Sequence, residues 1–220
     1  MIGARSDVVG SLLRPSYLLQ ARQELAQGGV SSSDFKIIED RAVDEAVFLQ
    51  ERAGLAVVTD GEMRRLSFQS QLPEAVDGFG SFDLDAFLWG DWHGGDVDDK
   101  SIARPQRLGV VDRLRRRRHL CAEELSYLRS RTDRIAKVSL PSPSLWANFW
   151  SAELSGHVYP TLDSFLADVT AILRDEVEEL VRLGATYIQL DAPHYPLLLH
   201  EQTRAFYESR GWTLERWLSA

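Results

Sequence analysis

Short apolar runs that each end on a polar or turn-forming motif, with helical patterns between them, constrain the fold of this chain most. The run at 187–190 ends on Asp191, and runs at 7–10, 56–59 and 136–140 lead into polar motifs in the same way. In parallel α/β proteins the carboxyl ends of the strands bring binding residues together at one edge of the sheet. The pattern therefore predicts one shared site built from several strand ends.

Bulk composition predicts a folded, soluble chain. Its 220 residues are 44% hydrophobic, which favours a single packed domain spanning 1–220 over disorder. The net charge of -8 argues against nucleic acid as a partner. The single cysteine, Cys121, fits a reducing compartment, and neither a leader sequence nor a membrane span is recognisable, so we expect a cytoplasmic protein.

One basic run interrupts the acidic composition. Five of the six residues from Arg113 to Arg118 are arginines. A solvated helix start or loop beside Glu123 and Glu124 is one interpretation, and an anion-binding patch for a polyanionic substrate tail is the other.

Periodicity and end signals predict the remaining elements. Ser31–Asp34 offers N-caps for a long amphipathic helix, and the glycines and mixed polar residues of 77–100 indicate a long loop. A third strand is expected at 108–111. Further helices are predicted at 16–27, 122–131, 162–183 and 201–209, and from Thr213 onward.

Strands that alternate with helices predict right-handed βαβ units and a parallel sheet. The expected fold class is α/β, as a (β/α) TIM-type barrel, with a doubly wound open sheet as the second choice. Because a complete barrel takes about 250 residues and eight strands, the five or so strands here predict an incomplete barrel, of which this chain is the N-terminal part. Its open edges would be covered internally, by a second copy or by a partner chain.

The four strand-end motifs, taken in order, resemble the cobalamin-independent methionine synthase family. The resemblance covers almost the whole chain and is closest to short, single-barrel relatives of that enzyme's C-terminal catalytic domain. The motifs are Val9-Gly10-Ser11-Leu12-Leu13-Arg14-Pro15, Val58-Thr59-Asp60-Gly61-Glu62, Leu140-Pro141-Ser142-Pro143 and Ile188-Gln189-Leu190-Asp191-Ala192-Pro193.

This resemblance implies a chemistry and a set of binding residues. In the family a zinc ion binds homocysteine as a thiolate, which accepts a methyl group from a reduced folate. The positions that hold the amino acid correspond to Gly10, Ser11, Glu62 and Asp191. An α-ammonium needs carboxylate partners and an α-carboxylate needs N–H and O–H donors, so these residue types suit the substrate.

Each of these residues also has a purely structural interpretation. Ser11 would cap a helix, Glu62 would pair with Arg64 or Arg65, and Asp191 would form a turn before the following proline. The shared-site hypothesis depends on the residues occurring together. No catalytic residue is assigned from the sequence.

The metal ligands of the family have no counterpart in this chain. They form a His-x-Cys pair, a Glu and a second Cys, all after the Asp-containing strand, and residues 194–220 contain no such set. His119 and Cys121 have the right local spacing, but they precede the fourth strand in an arginine-rich stretch that we expect to be helical. Side chains at i and i+2 of a helix point apart, so no metal site is predicted.

Three functions remain open at this point. The first is a transferase that moves a methyl group from a reduced folate, or a similar donor, to a thiol such as homocysteine. The second is an alkyl transferase acting on another thiol, such as coenzyme M. The third is a non-catalytic amino-acid-binding or assembly subunit that completes a barrel with another chain.

Overall fold

The computed structural model describes residues 6–81, 108–201, 204–205, 208 and 213–219. The chain forms two compact units. The first contains 1–72, 119–140 and 175–190, and the second contains 73–118, 141–174 and 191–220. The prediction of a single domain over 1–220 stays a prediction.

The helices follow the predicted pattern closely, except that five of the nine residues of the helix predicted at 201–209 lie outside the described residues. Local signals explain this agreement: Ser31 caps α2 by accepting the Asp34 N–H at 3.1 Å. The long helices are α1 (Ser16–Ala26), α2 (Ser32–Arg52), α4 (Ala122–Arg131) and α6 (Leu162–Arg182), and the short ones are α3 (Gln71–Ala75) and α5 (Ala152–Ser155). Short 3₁₀ helices cover Pro143–Phe149 and Tyr195–Leu199, and a last helix covers Leu214–Ser219. Among the helices described, none has the length and apolar character that crossing a membrane requires.

The strands divide into two sheets. They are β1 (Val57–Val58), β2 (Val76–Ser81), β3 (Leu108–Arg116), β4 (Ile135–Pro141) and β5 (Tyr187–Asp191). The order β1-β4-β5 makes one sheet, in which Val57 lies opposite Ile135 in parallel register. The central strand β4 is almost entirely buried, as expected for a strand covered on both faces. An α/β fold with a parallel sheet is confirmed, and barrel closure stays a prediction.

The end of β1 is fixed by helix α2. Gln50 lies near the C-terminal end of α2 and is buried. Its side chain accepts the Thr59 N–H at 2.9 Å and donates to the Thr59 carbonyl at 2.8 Å. One amide side chain thus replaces a missing ladder partner just where the chain leaves the sheet.

The second unit corrects the predicted loop and the predicted third strand. β2 and β3 pair in antiparallel register, so residues 77–81 of the expected loop are a strand, and 108–111 begins a longer strand outside the parallel sheet. Gly78 adopts φ +112° at an irregularity in this pairing, and an added Cβ there would lie 2.8 Å from the Asp112 carbonyl oxygen. The remainder of the expected loop lies outside the described residues.

The arginine run is part of that strand pair and not a helix start. Arg113 forms an ion pair with Asp168 at 3.2 Å and lies over the ring of Tyr159. Arg117 pairs with Asp77 at 3.1 Å in the turn that follows β3. Because acids of the same unit already face these cations, the structure favours the solvated interpretation over a polyanion-binding patch.

The strand predicted at 7–10 is also wrong, because side chains take up the backbone groups that a neighbouring strand would pair with. Lys137 is buried in β4 and its ammonium donates to Asp7 Oδ2 at 2.8 Å and to the Val8 carbonyl. Gln189 of β5 donates to the Val9 carbonyl at 3.0 Å. This segment is therefore held across the sheet by polar side chains, without a ladder partner among the described residues.

Candidate functional site

The turn after β1 presents Glu62 in an uncommon backbone conformation. Gly61 and Glu62 have φ of +67° and +55°, and a non-glycine residue rarely adopts a positive φ. Thr59 Oγ1 accepts the Gly61 N–H at 3.0 Å, and Asp60 Oδ1 accepts the Glu62 N–H at 2.8 Å. Two side chains inside the turn thus satisfy its backbone donors and aim the carboxylate of Glu62.

The Glu62 carboxylate is the meeting point of three chain segments of the first unit. Ser11 donates its hydroxyl to Oε2, Ser139 donates to Oε1 at 2.7 Å, and Arg65 Nη1 donates to Oε1 at 2.9 Å. A Cβ at Gly10 would lie 2.6 Å from Oε1, so only glycine fits beside this oxygen. Glu62 itself is buried, whereas Ser11 is exposed. The structure therefore brings Gly10, Ser11 and Glu62 together, with solvent on the serine side.

The structure tests the structural interpretations of Ser11 and Glu62 as a helix cap and an ion pair. Ser11 does not cap α1, whose N-cap residue is Pro15. Glu62 does pair with an arginine, but with Arg65 alone, because Arg64 reaches Asp40 at 2.5 Å. The ion pair is thus part of the cluster and not an alternative to it.

Arg65 is a residue that the sequence did not single out for this role. It is 2% exposed and reaches both oxygens of Glu124 from α4, at 2.8 Å from Nη2 and 3.3 Å from Nε. Nη2 also donates to the Ser139 carbonyl at 3.0 Å. Burial alone lowers the pKa of Arg65, but the Glu124 carboxylate reverses this, and the pKa lies above its ordinary value. The site therefore contains a permanent cation between two carboxylates.

Asp60 adds a third acid beneath the same turn. Burial, and then the nearby charge of Glu124, raise the pKa of Asp60 to about 6. Its second oxygen, Oδ2, is buried, and none of the described residues donates to it. The charge of Asp60 therefore changes near pH 6.

Asp191 belongs to the second unit, where it is the last residue of β5. It is half-buried, and its carbonyl accepts the Ser142 N–H at 2.8 Å. Nearby along the chain, His194 is buried with its Nε2 at 3.0 Å from Ser144 Oγ, and burial lowers the pKa of this imidazole to about 4. The predicted role of Asp191 in substrate binding together with Glu62 stays a prediction.

The donor set of the first unit does not fit a zinc site. His119 and Cys121 lie in the turn before α4, which corrects the expected helical context. His119 Nδ1 lies 3.0 Å from Glu176 Oε2, and burial raises the pKa of the Cys121 thiol well above its ordinary value, which opposes the thiolate that zinc requires. Across the part of the chain that the structure describes, no group of three or more His, Cys, Asp or Glu residues is placed to hold a metal ion.

Comparison with known proteins identifies the family to which these motifs point. The profile described as "Cobalamin-independent synthase, Catalytic domain" matches residues 6–216. The methionine synthase of Pyrococcus abyssi is 32% identical over 191 residues, which is 86% of this chain and 51% of that protein. This chain spans about half the length of the curated relatives it matches.

Solved structures share the fold. A putative vitamin-B12 independent methionine synthase from Listeria monocytogenes superposes with a TM-score of 0.63 at 21% identity, covering 92% of this chain and 58% of that one. A B12-independent methionine synthase from Shewanella sp. W3-18-1, solved in complex with selenomethionine, gives 0.65 at 20% identity, covering 97% and 57%.

Proposed function

This chain belongs to the cobalamin-independent methionine synthase family, and we propose that its strand-end cluster binds the amino acid substrate of a methyl-transfer reaction. The substrate is a thiol amino acid such as homocysteine, and the donor is a reduced folate or a similar methyl carrier. The described residues supply the amino-acid subsite, and no step through a metal is assigned to them. A cytoplasmic location and a second copy or partner chain at the open sheet edges belong to the same proposal.

The observation that carries the proposal is the hydrogen bonding of the Glu62 carboxylate. A carboxylate offers about four acceptor positions, and the described residues fill three, with the donors Ser11, Ser139 and Arg65. The remaining position suits a substrate ammonium, which gains a charge-assisted hydrogen bond there. Ser11 is exposed beside it, and its hydroxyl oxygen keeps acceptor positions for a substrate N–H while it donates to Oε2.

Two further points support an amino acid as the ligand. The Shewanella relative was solved in complex with selenomethionine, an amino acid of the same size as the expected product. Asp191, as a second acid at a strand end, matches the second carboxylate that the family resemblance implies for the ammonium.

The second candidate is a non-catalytic amino-acid-binding or assembly subunit. It is favoured by the failure of the described His, Cys, Asp and Glu residues to form a metal-binding group. An alkyl transferase acting on coenzyme M is less well supported. That thiol has no ammonium group to satisfy Glu62, whose carboxylate would then lose solvation without gaining a partner.

Calorimetric titration separates these candidates. L-Homocysteine and L-methionine are expected to bind the purified chain, and coenzyme M is not. Glu62→Gln and Asp191→Asn should each weaken binding by about tenfold or more, since each removes a charge-assisted hydrogen bond. Glu178→Gln, at an exposed glutamate of α6, is the matched control and should bind as the parent does.

Two results decide against parts of the proposal. Binding by Glu62→Gln and Asp191→Asn at the parent's affinity would show that the subsite is wrongly assigned. Stoichiometric zinc in the purified chain, together with thiol-dependent methyl transfer by that chain alone, would refute the non-catalytic alternative.

A further inference from the structure

We propose that Asp60 is a positioning residue that holds Glu62 in its left-handed conformation and thereby aims the Glu62 carboxylate at the amino acid. This inference rests on the proposed function for its consequence in binding. Its structural part stands on the geometry of the turn alone.

Glu62 is held in its left-handed conformation by hydrogen bonds to its backbone. A non-glycine residue at positive φ persists only where its surroundings over-determine it. The N–H of Glu62 is bound by Asp60 Oδ1 at 2.8 Å, and its carbonyl accepts from Arg14 Nη2 at 3.2 Å. The carbonyl also accepts the backbone N–H of Arg65 at 3.1 Å, so Asp60 is the residue that holds the N–H side of Glu62.

Only one oxygen of the Asp60 carboxyl group takes part in the turn. Oδ2 is buried, and no described residue donates to it, so the turn uses only half of the carboxyl group. An asparagine would keep the Oδ1 acceptor and change only the atom at Oδ2. Alanine would remove the acceptor as well, which makes Asp60→Asn and Asp60→Ala a test of which property matters.

Asp60 also changes the net charge of the cluster when it ionises. The charged or titratable groups around Asp60 are Glu62 and Arg65 from its own turn, Glu124 from α4, Cys121 from the preceding turn, and Arg14. Arg65 already pairs with Glu62 and Glu124, and both Arg65 and Arg14 attract the Asp60 carboxylate, so ionisation of Asp60 makes the cluster more negative by one charge and favours an ammonium ligand. Because the pKa of Asp60 is raised to about 6, this charge appears as the pH rises from 5 to 7.5. Amino-acid affinity should rise over the same interval, by no more than the factor of about three that Asp60→Asn, which lacks this charge, loses at pH 7.5.

The test combines amide hydrogen exchange of the ligand-free protein with titration of L-methionine. Asp60→Ala should speed exchange of the Glu62 amide by about tenfold or more and weaken binding by a similar factor, because a hydrogen bond to a charged acceptor is lost. Asp60→Asn should keep both within about threefold at pH 7.5, since a neutral acceptor remains, and should flatten the pH dependence of affinity. Asp133→Ala, at an exposed aspartate, is the control.

Three outcomes overturn the inference. The first is Glu62 amide exchange in Asp60→Ala at the rate of the control. The second is an Asp60→Asn variant as impaired as Asp60→Ala. The third is a parent affinity that does not change between pH 5 and 7.5.

The inference can still be tested if one variant does not fold or if the parent binds no amino acid. If Asp60→Ala does not fold, Asp60→Asn and the pH profile carry the test. If the parent binds neither L-methionine nor L-homocysteine, the proposed function fails, while amide exchange still decides whether Asp60 positions Glu62.

Discussion

Replacing Arg65 with methionine tests the central ion-pair network of the first unit. Arg65 is 2% exposed and its guanidinium serves Glu62, Glu124 and Ser139. Methionine matches much of its length but leaves the buried carboxylates of Glu62 and Glu124 without the arginine cation that pairs with them, and the Ser139 carbonyl without its Arg65 donor. Removing one partner of a buried ion pair costs about 3–5 kcal/mol, because the remaining charge stays buried and uncompensated. Arg65→Met should therefore lose about 4 kcal/mol of unfolding free energy at pH 7.5.

Urea denaturation followed by far-UV circular dichroism measures this loss. With a slope of about 2 kcal/mol per M, the midpoint should fall by about 2 M. Arg182→Met is the control, because Arg182 forms an exposed ion pair with Glu179 within one helix, and its midpoint should not change. Arg65→Met combined with Glu124→Gln should recover part of the loss, since one uncompensated charge disappears.

The pH dependence gives the reasoning a second check. In Arg65→Met the buried carboxylates have no cation, so protonation removes the cost of burying their charge. The difference between variant and parent should shrink as the pH falls from 7.5 to 5. A midpoint change at pH 7.5 close to that of the control, or a deficit that does not shrink on acidification, would show that these carboxylates are solvated and that the network is not what stabilises the unit.

The remaining predictions concern three positions. Gly10→Ala should weaken L-methionine binding in a titration, because the new Cβ would lie 2.6 Å from Glu62 Oε1; Gly29→Ala, whose nearest atom is 3.5 Å away, should bind normally. Cys121 is buried with a raised pKa, so Ellman's reagent should react slowly with the native protein and fully in urea; fast native labelling would contradict its placement. Burial lowers the pKa of His194 to about 4. The contribution of its buried, neutral imidazole to the free energy of unfolding is therefore complete above pH 6.5 and is lost as the pH falls toward 4. An NMR titration of its ring proton near pH 6.5 would contradict this burial.

The helices were predictable from sequence because their signals are local. The apolar spacing and charged ends of 122–131 and the serine cap before α2 need no distant partner, and both helices form close to where the pattern places them. The run at 136–140 became the buried central strand although Lys137 and Ser139 interrupt its apolar residues, because both polar side chains find hydrogen-bond partners in the interior.

The antiparallel pair β2–β3 was not predictable in the same way. Gly78 and Gly80 indicate a loop in any local reading, and the arginines of β3 indicate solvent. The pairing joins residues that are 27 to 40 positions apart, and its exposed basic side chains are tolerated because one face of an antiparallel pair can stay in water. The segment 7–10 failed in the opposite direction: its apolar side chains favoured a strand, but Lys137 and Gln189 bind its carbonyls instead.

At the candidate site, the positions of residues along the chain predicted which side chains are neighbours, but not which of them are buried. Strand-end reasoning singled out Ser11 and Glu62 correctly as neighbours. It had no means to distinguish Arg64 from Arg65, although the first pairs with acids of α2 and the second lies at the centre of the buried network. The i,i+3 spacing of Arg65 from Glu62 predicts a contact only on a helix, and these residues lie in a turn.

The order of Asp60, Gly61 and Glu62 determines how the end of β1 presents the Glu62 carboxylate. The aspartate must come first, because its short side chain reaches the N–H two residues on. The glycine must follow, because its φ of +67° begins the reversal in a place where a Cβ would meet side-chain atoms at 3.0 Å. Only then can the glutamate, itself at positive φ, bring its longer side chain back to Ser11. Exchanging the two acids would put the short side chain where reach is needed, so the motif specifies geometry as well as charge.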